Sequence, residues 1–229
     1  MTTVRLKASD GFECPAYVAQ PKGTPKGAVV VIQEIFGVNP HIREVADGYA
    51  SAGYFAVAPA MFHRAKHGVE LGYAADDMQA GMALKAAVEG MPEPGAMADV
   101  QAAVKYAHQT TGAKVGIVGY CWGGLLTWRA AALVQGLSAA VPYYGGGSTA
   151  SEEIARHPQC PVMAHFAKLD HWIGLDSVEA FTRAHPEVAV HLYDADHGFN
   201  CDHRGAYQKT SADLARERTL AFFEEHVAS

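Results

Sequence analysis

Gly119-Tyr120-Cys121-Trp122-Gly123-Gly124 places a cysteine directly after an apolar run (Lys114 to Val118) and directly before a helix-forming one. A thiol held on a sharp strand-to-helix turn has a constrained backbone and close neighbours, so flanking glycines are what a presented nucleophile requires. The turn also faces the sulfur with the unpaired amides and positive end of the helix, which favour a thiolate and can bind a developing oxyanion. Free cysteines are commonly buried and inert, but this setting marks Cys121 as a nucleophile. A thiol nucleophile needs a base, and the base needs an acid to fix its tautomer. Leu169-Asp170-His171 follows the apolar segment Pro161 to Phe166, and Asp196-His197-Gly198-Phe199 follows His191-Leu192-Tyr193. The order nucleophile, acid, histidine therefore runs Cys121, Asp170, His197. Asp194 and Asp196 are competing acids, but both sit too near His197 in sequence to reach back to its ring comfortably. Asp170 could instead cap the helix starting near Gly174.

Gln33-Glu34-Ile35-Phe36-Gly37 follows the first buried strand. A loop there can supply a second oxyanion amide, so the backbone N–H groups of Ile35 and Trp122 are the expected donors. Glu34 ends a buried strand and must be paired or solvated, with Arg43 and Arg204 as candidate partners. Phe36, Tyr144, Trp122 and Trp172 are candidates to line an aromatic pocket, and each could equally be packed in the core.

Short apolar runs at Ala28–Ile32, Tyr54–Ala58, Val115–Val118, Ala139–Tyr144, Val162–Phe166 and Val188–Tyr193 suit parallel strands buried on both faces. Helices are expected near His41–Ser51, Asp76–Val88, Gly95–Thr110, Leu125–Gln135, Leu175–Ala184 and Tyr207–His226. Val4–Lys7 and Phe12–Ala19 flank the turn signal Ser9-Asp10-Gly11 and predict an antiparallel hairpin at a sheet edge. The alternation is that of a mostly parallel, doubly wound α/β sheet in a single domain over residues 1–229. In such sheets ligands bind beyond the carboxyl ends of the strands, where Glu34, Cys121, Tyr144, Asp170 and His197 all fall.

With 229 residues, 49% of them hydrophobic, the chain is long enough for a substantial core. A net charge of −6 and the lack of any basic stripe speak against nucleic acid or an anionic membrane as partner. No apolar stretch nears the roughly 20 residues of a membrane span, and the first residues lack a signal core, so a cytoplasmic location is expected. Cys14, Cys121, Cys160 and Cys201 are too few and too scattered for a disulfide framework or a paired-cysteine zinc site. Among the histidines, His63, His67, His165, His171, His191 and His203 match no recognised metal-ligand spacing, and no metal is expected. A monomer is the expected state.

Taken together, the segments QEIFGVN (33–39) and GYCWGG (119–124), with Asp170 and His197-Gly198-Phe199, resemble the dienelactone hydrolase (carboxymethylenebutenolidase) family over nearly the whole chain. The resemblance implies an α/β-hydrolase domain cleaving small-molecule carboxylic esters or lactones without cofactor or metal. It implies a cysteine, aspartate and histidine triad at Cys121, Asp170 and His197, with Glu34 as the glutamate that contacts the resting thiol and helps generate the thiolate. Two arginines hold the substrate carboxylate in that family. Here Cys201 stands where the first would fall and residues 69–84 contain no arginine, which leaves Arg204 or Arg64 to substitute. The different class kept beside this reading is a pseudo-hydrolase that binds lactones without turnover.

Overall fold

The computed structural model describes residues 2–228. Eight strands form one sheet in the order β1-β2-β4-β3-β5-β6-β7-β8. β1 (Thr2–Lys7) and β2 (Glu13–Ala19) make the expected antiparallel edge hairpin, and β2 also runs antiparallel to β4 (Tyr54–Pro59). The hairpin turn closes through Ala8 N–H to the Phe12 carbonyl at 2.9 Å, with Gly11 at φ 84°. All remaining neighbours are parallel: β3 (Gly27–Ile32), β4, β5 (Val115–Tyr120), β6 (Leu137–Tyr143), β7 (Met163–Ala167) and β8 (Ala189–Tyr193). This is the mostly parallel, doubly wound α/β arrangement that the alternating runs predict.

Every residue of β3, β4 and β5 is buried, because helices cover both faces of the sheet. Two glycines of β5 show the coverage. Residues three apart on a strand point to opposite faces, and a side chain at Gly116 would meet Phe223 of α7 (Lys209–His226) at 2.9 Å, whereas one at Gly119 would meet α4 (Trp122–Leu133). α1 (Pro40–Ser51) packs on β2, β3 and β4, and α3 (Gly95–Thr111) on β1, β3, β4 and β5. The start of α1 is set by Asn39, whose Oδ1 accepts from the Ile42 N–H at 3.2 Å, with Pro40 in the first turn. α2 (Ala75–Glu89) and α6 (Leu175–Ala184) follow the expected pattern, and one short helix, α5 (Ser151–Ile154), is not marked by any periodicity.

Several boundaries differ from the sequence reading. α4 begins at Trp122 rather than Leu125, because β5 runs on to Tyr120 and the helix starts with no intervening loop. β6 ends at Tyr143, and Tyr144 instead turns off the sheet at φ 34°. α7 starts at Lys209, where the Gln208 side chain accepts from the Ser211 N–H at 2.6 Å.

The close approach of α4 to β3 is the tightest constraint on the sheet's upper rim. A β-carbon at Gly123 would stand 2.5 Å from the Ile32 carbonyl oxygen, and one at Gly124 would stand 2.5 Å from that of Tyr143. The neighbours are backbone and cannot swing away. Gly123→Ala is expected to cost roughly 2 to 3 kcal/mol, seen as a fall in Tm of about 5 to 10 °C in thermal unfolding followed by circular dichroism.

Candidate active site

Cys121 has φ 56° and ψ −118°, a conformation that side chains rarely adopt. Such strain costs on the order of 1–3 kcal/mol and persists only where the surroundings enforce it. Here its N–H donates to the Tyr143 carbonyl at 3.1 Å, and its carbonyl accepts from the Gly124 N–H at 2.9 Å. Strand and helix thus clamp the residue from both sides, leaving its half-buried side chain on the rim.

The loops after β7 and β8 bring Asp170 and His197 together. Asp170 Oδ2 accepts from His197 Nδ1 at 2.8 Å, and its Oδ1 accepts from the N–H groups of Trp172 and Ile173 at 2.8 and 3.1 Å. Three donors therefore fix a carboxylate that is 8% exposed. The competing acids are used elsewhere. Asp194 pairs with Lys168 at 2.8 Å, and Asp196 accepts from the His197 backbone N–H at 2.6 Å. With Nδ1 committed to Asp170, the Nε2 edge of the imidazole faces the sulfur. Burial alone opposes charge on this ring, but the adjacent Cys121 sulfur, the Asp170 hydrogen bond and a hydrogen bond with Cys121 outweigh it, and His197 is pushed up to about 10. Tyr144 backs the imidazole edge-on at 5.1 Å.

The β3–α1 loop carries Glu34, which is 1% exposed and accepts from Arg204 Nη1 through Oε1 at 3.1 Å. Of the two partners expected for Glu34, Arg204 is therefore found, while Arg43 pairs with Glu70 at 2.8 Å. The N–H groups of Ile35 and Trp122 donate to no acceptor among the described residues, and both residues line one cleft with Cys121 and His197. Gln33 escaped the sequence reading as a functional group. Its Oε1 accepts from the Met61 N–H at 3.0 Å and its Nε2 donates to the Glu34 carbonyl at 3.1 Å, which fixes the peptide presenting the Ile35 N–H. A polar residue set between the apolar run Ala28–Ile32 and Glu34 was the available signal.

The cleft has a volume of about 230 Å³. It is lined by Cys121, Trp122, His197 and Ile35 together with Phe36, Trp172, Gly146, Gly147, Arg204 and one face of α2 bearing Met78, Met82 and Lys85. That face was also missed, although spacings of four and three residues put the three side chains on one helical stripe. α2 reaches the loop because Gly81 lies against the Ile35 carbonyl, where a β-carbon has no room.

The pocket expectations need two corrections, at Cys201 and Tyr144. Cys201 is fully buried and lines nothing in the cleft, because the tight turn from Gly198 folds it inward and raises Arg204 instead. Gly198, at φ 83°, makes room for that guanidinium, which would lie 2.6 Å from a β-carbon there. Tyr144 is likewise fully buried beneath the rim and supports His197 without lining the cleft. Arg64 is remote, held by Asp99 and Asp10 at 2.7 Å each. Phe36 and Trp172 do line the cleft, the latter 71% exposed at its mouth.

Among the described residues, two groups of side chains bring metal-ligand atoms within 4.8 Å of one another, namely His41, Glu44, Asp202 and His203, and Glu34, His41 and Cys201. A cation in the second would face the Arg204 guanidinium on Glu34, and three of the four residues in the first are exposed. His63 and His67 stack at 4.0 Å and belong to neither group.

The family model for dienelactone hydrolases matches residues 14–227. The chain belongs to the dienelactone hydrolase family. It is 34% identical over 225 residues to a carboxymethylenebutenolidase of Pseudomonas putida, covering 96% of this chain and 94% of that protein. It is also 34% identical to a protein of Escherichia coli O157:H7 provisionally given the same name, covering 95% of this chain and 84% of the other. A crystal structure from Klebsiella pneumoniae, provisionally named a dienelactone hydrolase, superposes with a TM-score of 0.83 at 30% identity, covering 98% of this chain and 99% of that one. Membership of this family makes the protein a hydrolase of small-molecule esters or lactones. Among the described residues, no helix is long and apolar enough to cross a membrane.

The raised affinity of His197 for its proton has a pH signature. The folded value of about 10 lies above the ordinary 6.5 of the unfolded chain, so the stabilisation is complete below pH 6.5 and is lost as pH rises through 10. An imidazole NMR titration should show His197 holding its proton until near pH 10, and Cys121→Ala should lower that midpoint by removing the neighbouring sulfur and its hydrogen bond.

Proposed function

We propose that the protein hydrolyses a carboxylic ester or lactone through an acyl-thioester on Cys121. The observation that carries this is the Asp170–His197 hydrogen bond of 2.8 Å, with the imidazole beside a cysteine on a strained strand-to-helix turn. Glu34 takes the proton of the resting thiol, and the thiolate attacks the substrate carbonyl. The amides of Ile35 and Trp122 receive the oxyanion, since both residues line the cleft and neither N–H has another acceptor among the described residues. The tetrahedral intermediate collapses as the C–O bond breaks, and the leaving alkoxide takes its proton from His197. Neutral His197 then draws a proton from water, which attacks the thioester; the C–S bond breaks to release the acid, and Glu34 returns its proton to the sulfur. Asp170 keeps His197 in the tautomer that presents Nε2 throughout.

Lys85 and Arg204 are the cationic side chains on the cleft wall. They stand in place of the two arginines missing from the expected positions, and an acidic substituent on the substrate would meet them. Phe36, Met78, Met82 and Trp172 provide the apolar remainder. The complete acid–imidazole pair beside Cys121 favours turnover over mere binding.

Cys121→Ala is expected to lower hydrolysis of a p-nitrophenyl ester at least about a thousandfold, and Asp170→Asn by a factor on the order of 10³. Retention of wild-type kcat by a folded Cys121→Ala protein would refute the assignment. Lys85→Met is expected to raise KM about tenfold for an ester bearing a carboxylate while leaving a neutral ester unchanged, read from steady-state kinetics on the two substrates.

A further inference from the structure

Glu34 Oε2 is buried without a hydrogen-bond partner among the described residues, and so is His41 Nε2. A carboxylate oxygen of Glu34, a ring nitrogen of His41 and Cys201 Sγ lie within 4.8 Å of one another in the same buried pocket. The other end of each group is committed. Glu34 Oε1 accepts from Arg204, and His41 Nδ1 lies 3.2 Å from Asp202 Oδ1. An ionised aspartate only accepts, so Nδ1 of His41 carries its hydrogen and Nε2 is left as a lone pair. Two acceptors enclosed together are unfavourable until one proton lies between them.

We propose that His41 is the positioning residue of Glu34, accepting at Nε2 the hydrogen bond of the carboxyl group that forms when Glu34 takes the proton of Cys121. In that step the S–H bond breaks with its electron pair remaining on sulfur, and an O–H bond forms on Glu34; nothing is oxidised or reduced. The inference rests on the reading of Cys121 as nucleophile. Asp202, 57% exposed in its side chain, holds the tautomer of His41 as Asp170 holds that of His197.

The groups around His41 fit this role. Glu34 faces it from the β3–α1 loop, and Cys201, Asp202 and His203 from the loop after β8, His203 with ring centroids 5.4 Å apart. Glu44 of α1 meets it through His203, and Asp213 and Arg216 of α7 line the same outer hollow. Burial pushes His41 below the ordinary imidazole range, opposed by Glu34 and Asp202, which keeps the ring neutral and able to accept.

The test is the pH dependence of iodoacetamide alkylation at Cys121, located by peptide mapping, in the wild type, Glu34→Gln, His41→Phe, His41→Gln and Asp202→Ala, with folding checked by circular dichroism. His41→Phe should slow alkylation at pH 7 by about fivefold to tenfold and move the profile to higher pH, as loss of one hydrogen bond predicts. His41→Gln, whose amide oxygen can accept the same hydrogen bond, should recover most of the rate. Asp202→Ala should shift the profile in the same direction as His41→Phe. A folded His41→Phe or Asp202→Ala protein with the wild-type profile, while Glu34→Gln is shifted, would overturn the role of His41 and leave the nucleophile standing. Full ester hydrolysis by protein alkylated at Cys121 would instead remove the reading on which it rests.

Discussion

The strained backbone of Cys121 is the constraint on which the rest of the site depends. At φ 56° the residue would relax toward an ordinary turn if either flank could move. It cannot, because β5 is hydrogen-bonded between β3 and β6 while α4 presses Gly123 and Gly124 onto the carbonyls of Ile32 and Tyr143. A few kcal/mol of local strain is thus offset by burial of the central strands, each apolar side chain of which contributes about 1.5 to 3 kcal/mol. The geometry that exposes the sulfur is the same geometry that starts a helix beneath it. Presentation of the thiol and presentation of the Trp122 amide are therefore one structural event.

Around that sulfur the charges are arranged as two acid-linked units. Asp170 with His197 lies on the side of β7 and β8, and Glu34 with Arg204 lies on the side of β3. The first holds a proton tightly next to the thiol, and the second leaves one carboxylate oxygen free of any fixed partner among the described residues. This asymmetry suits a reaction that must remove a proton from sulfur and later deliver one to an alkoxide. Glu34, fully enclosed, is held by a guanidinium that itself lines the cleft, so occupancy of the cleft and the state of the carboxylate are physically linked.

Much of this was legible in the sequence because parallel strands buried on both faces leave apolar runs, and their carboxyl ends define a rim before any contact is known. Cys121, Asp170, His197 and Glu34 each follow such a run, and the sheet order brings those ends side by side. What escaped depends on loops whose shape is set by packing. The turn from Gly198 buries Cys201 and lifts Arg204 three residues later, which residue spacing alone cannot reveal. Tyr144 reads as the end of a strand, but it leaves the sheet at φ 34° and disappears under His197. The stripe of Met78, Met82 and Lys85 reads as an ordinary helix surface until α2 is seen to rest on the β3–α1 loop at Gly81. His41 reads as the first residue of a helix, and its burial comes from the return of the 201–203 loop over it.

The proposed mechanism requires a covalent bond between the substrate acyl group and the Cys121 sulfur. Acid quenching of the enzyme during turnover of a slowly hydrolysed ester, followed by mass spectrometry of its peptides, tests it most directly. A mass increase equal to the acyl group is expected on the peptide containing Cys121, present during turnover and gone once substrate is exhausted. An acyl group found on a different residue, or turnover at full rate with no adduct at any quench time, would contradict it.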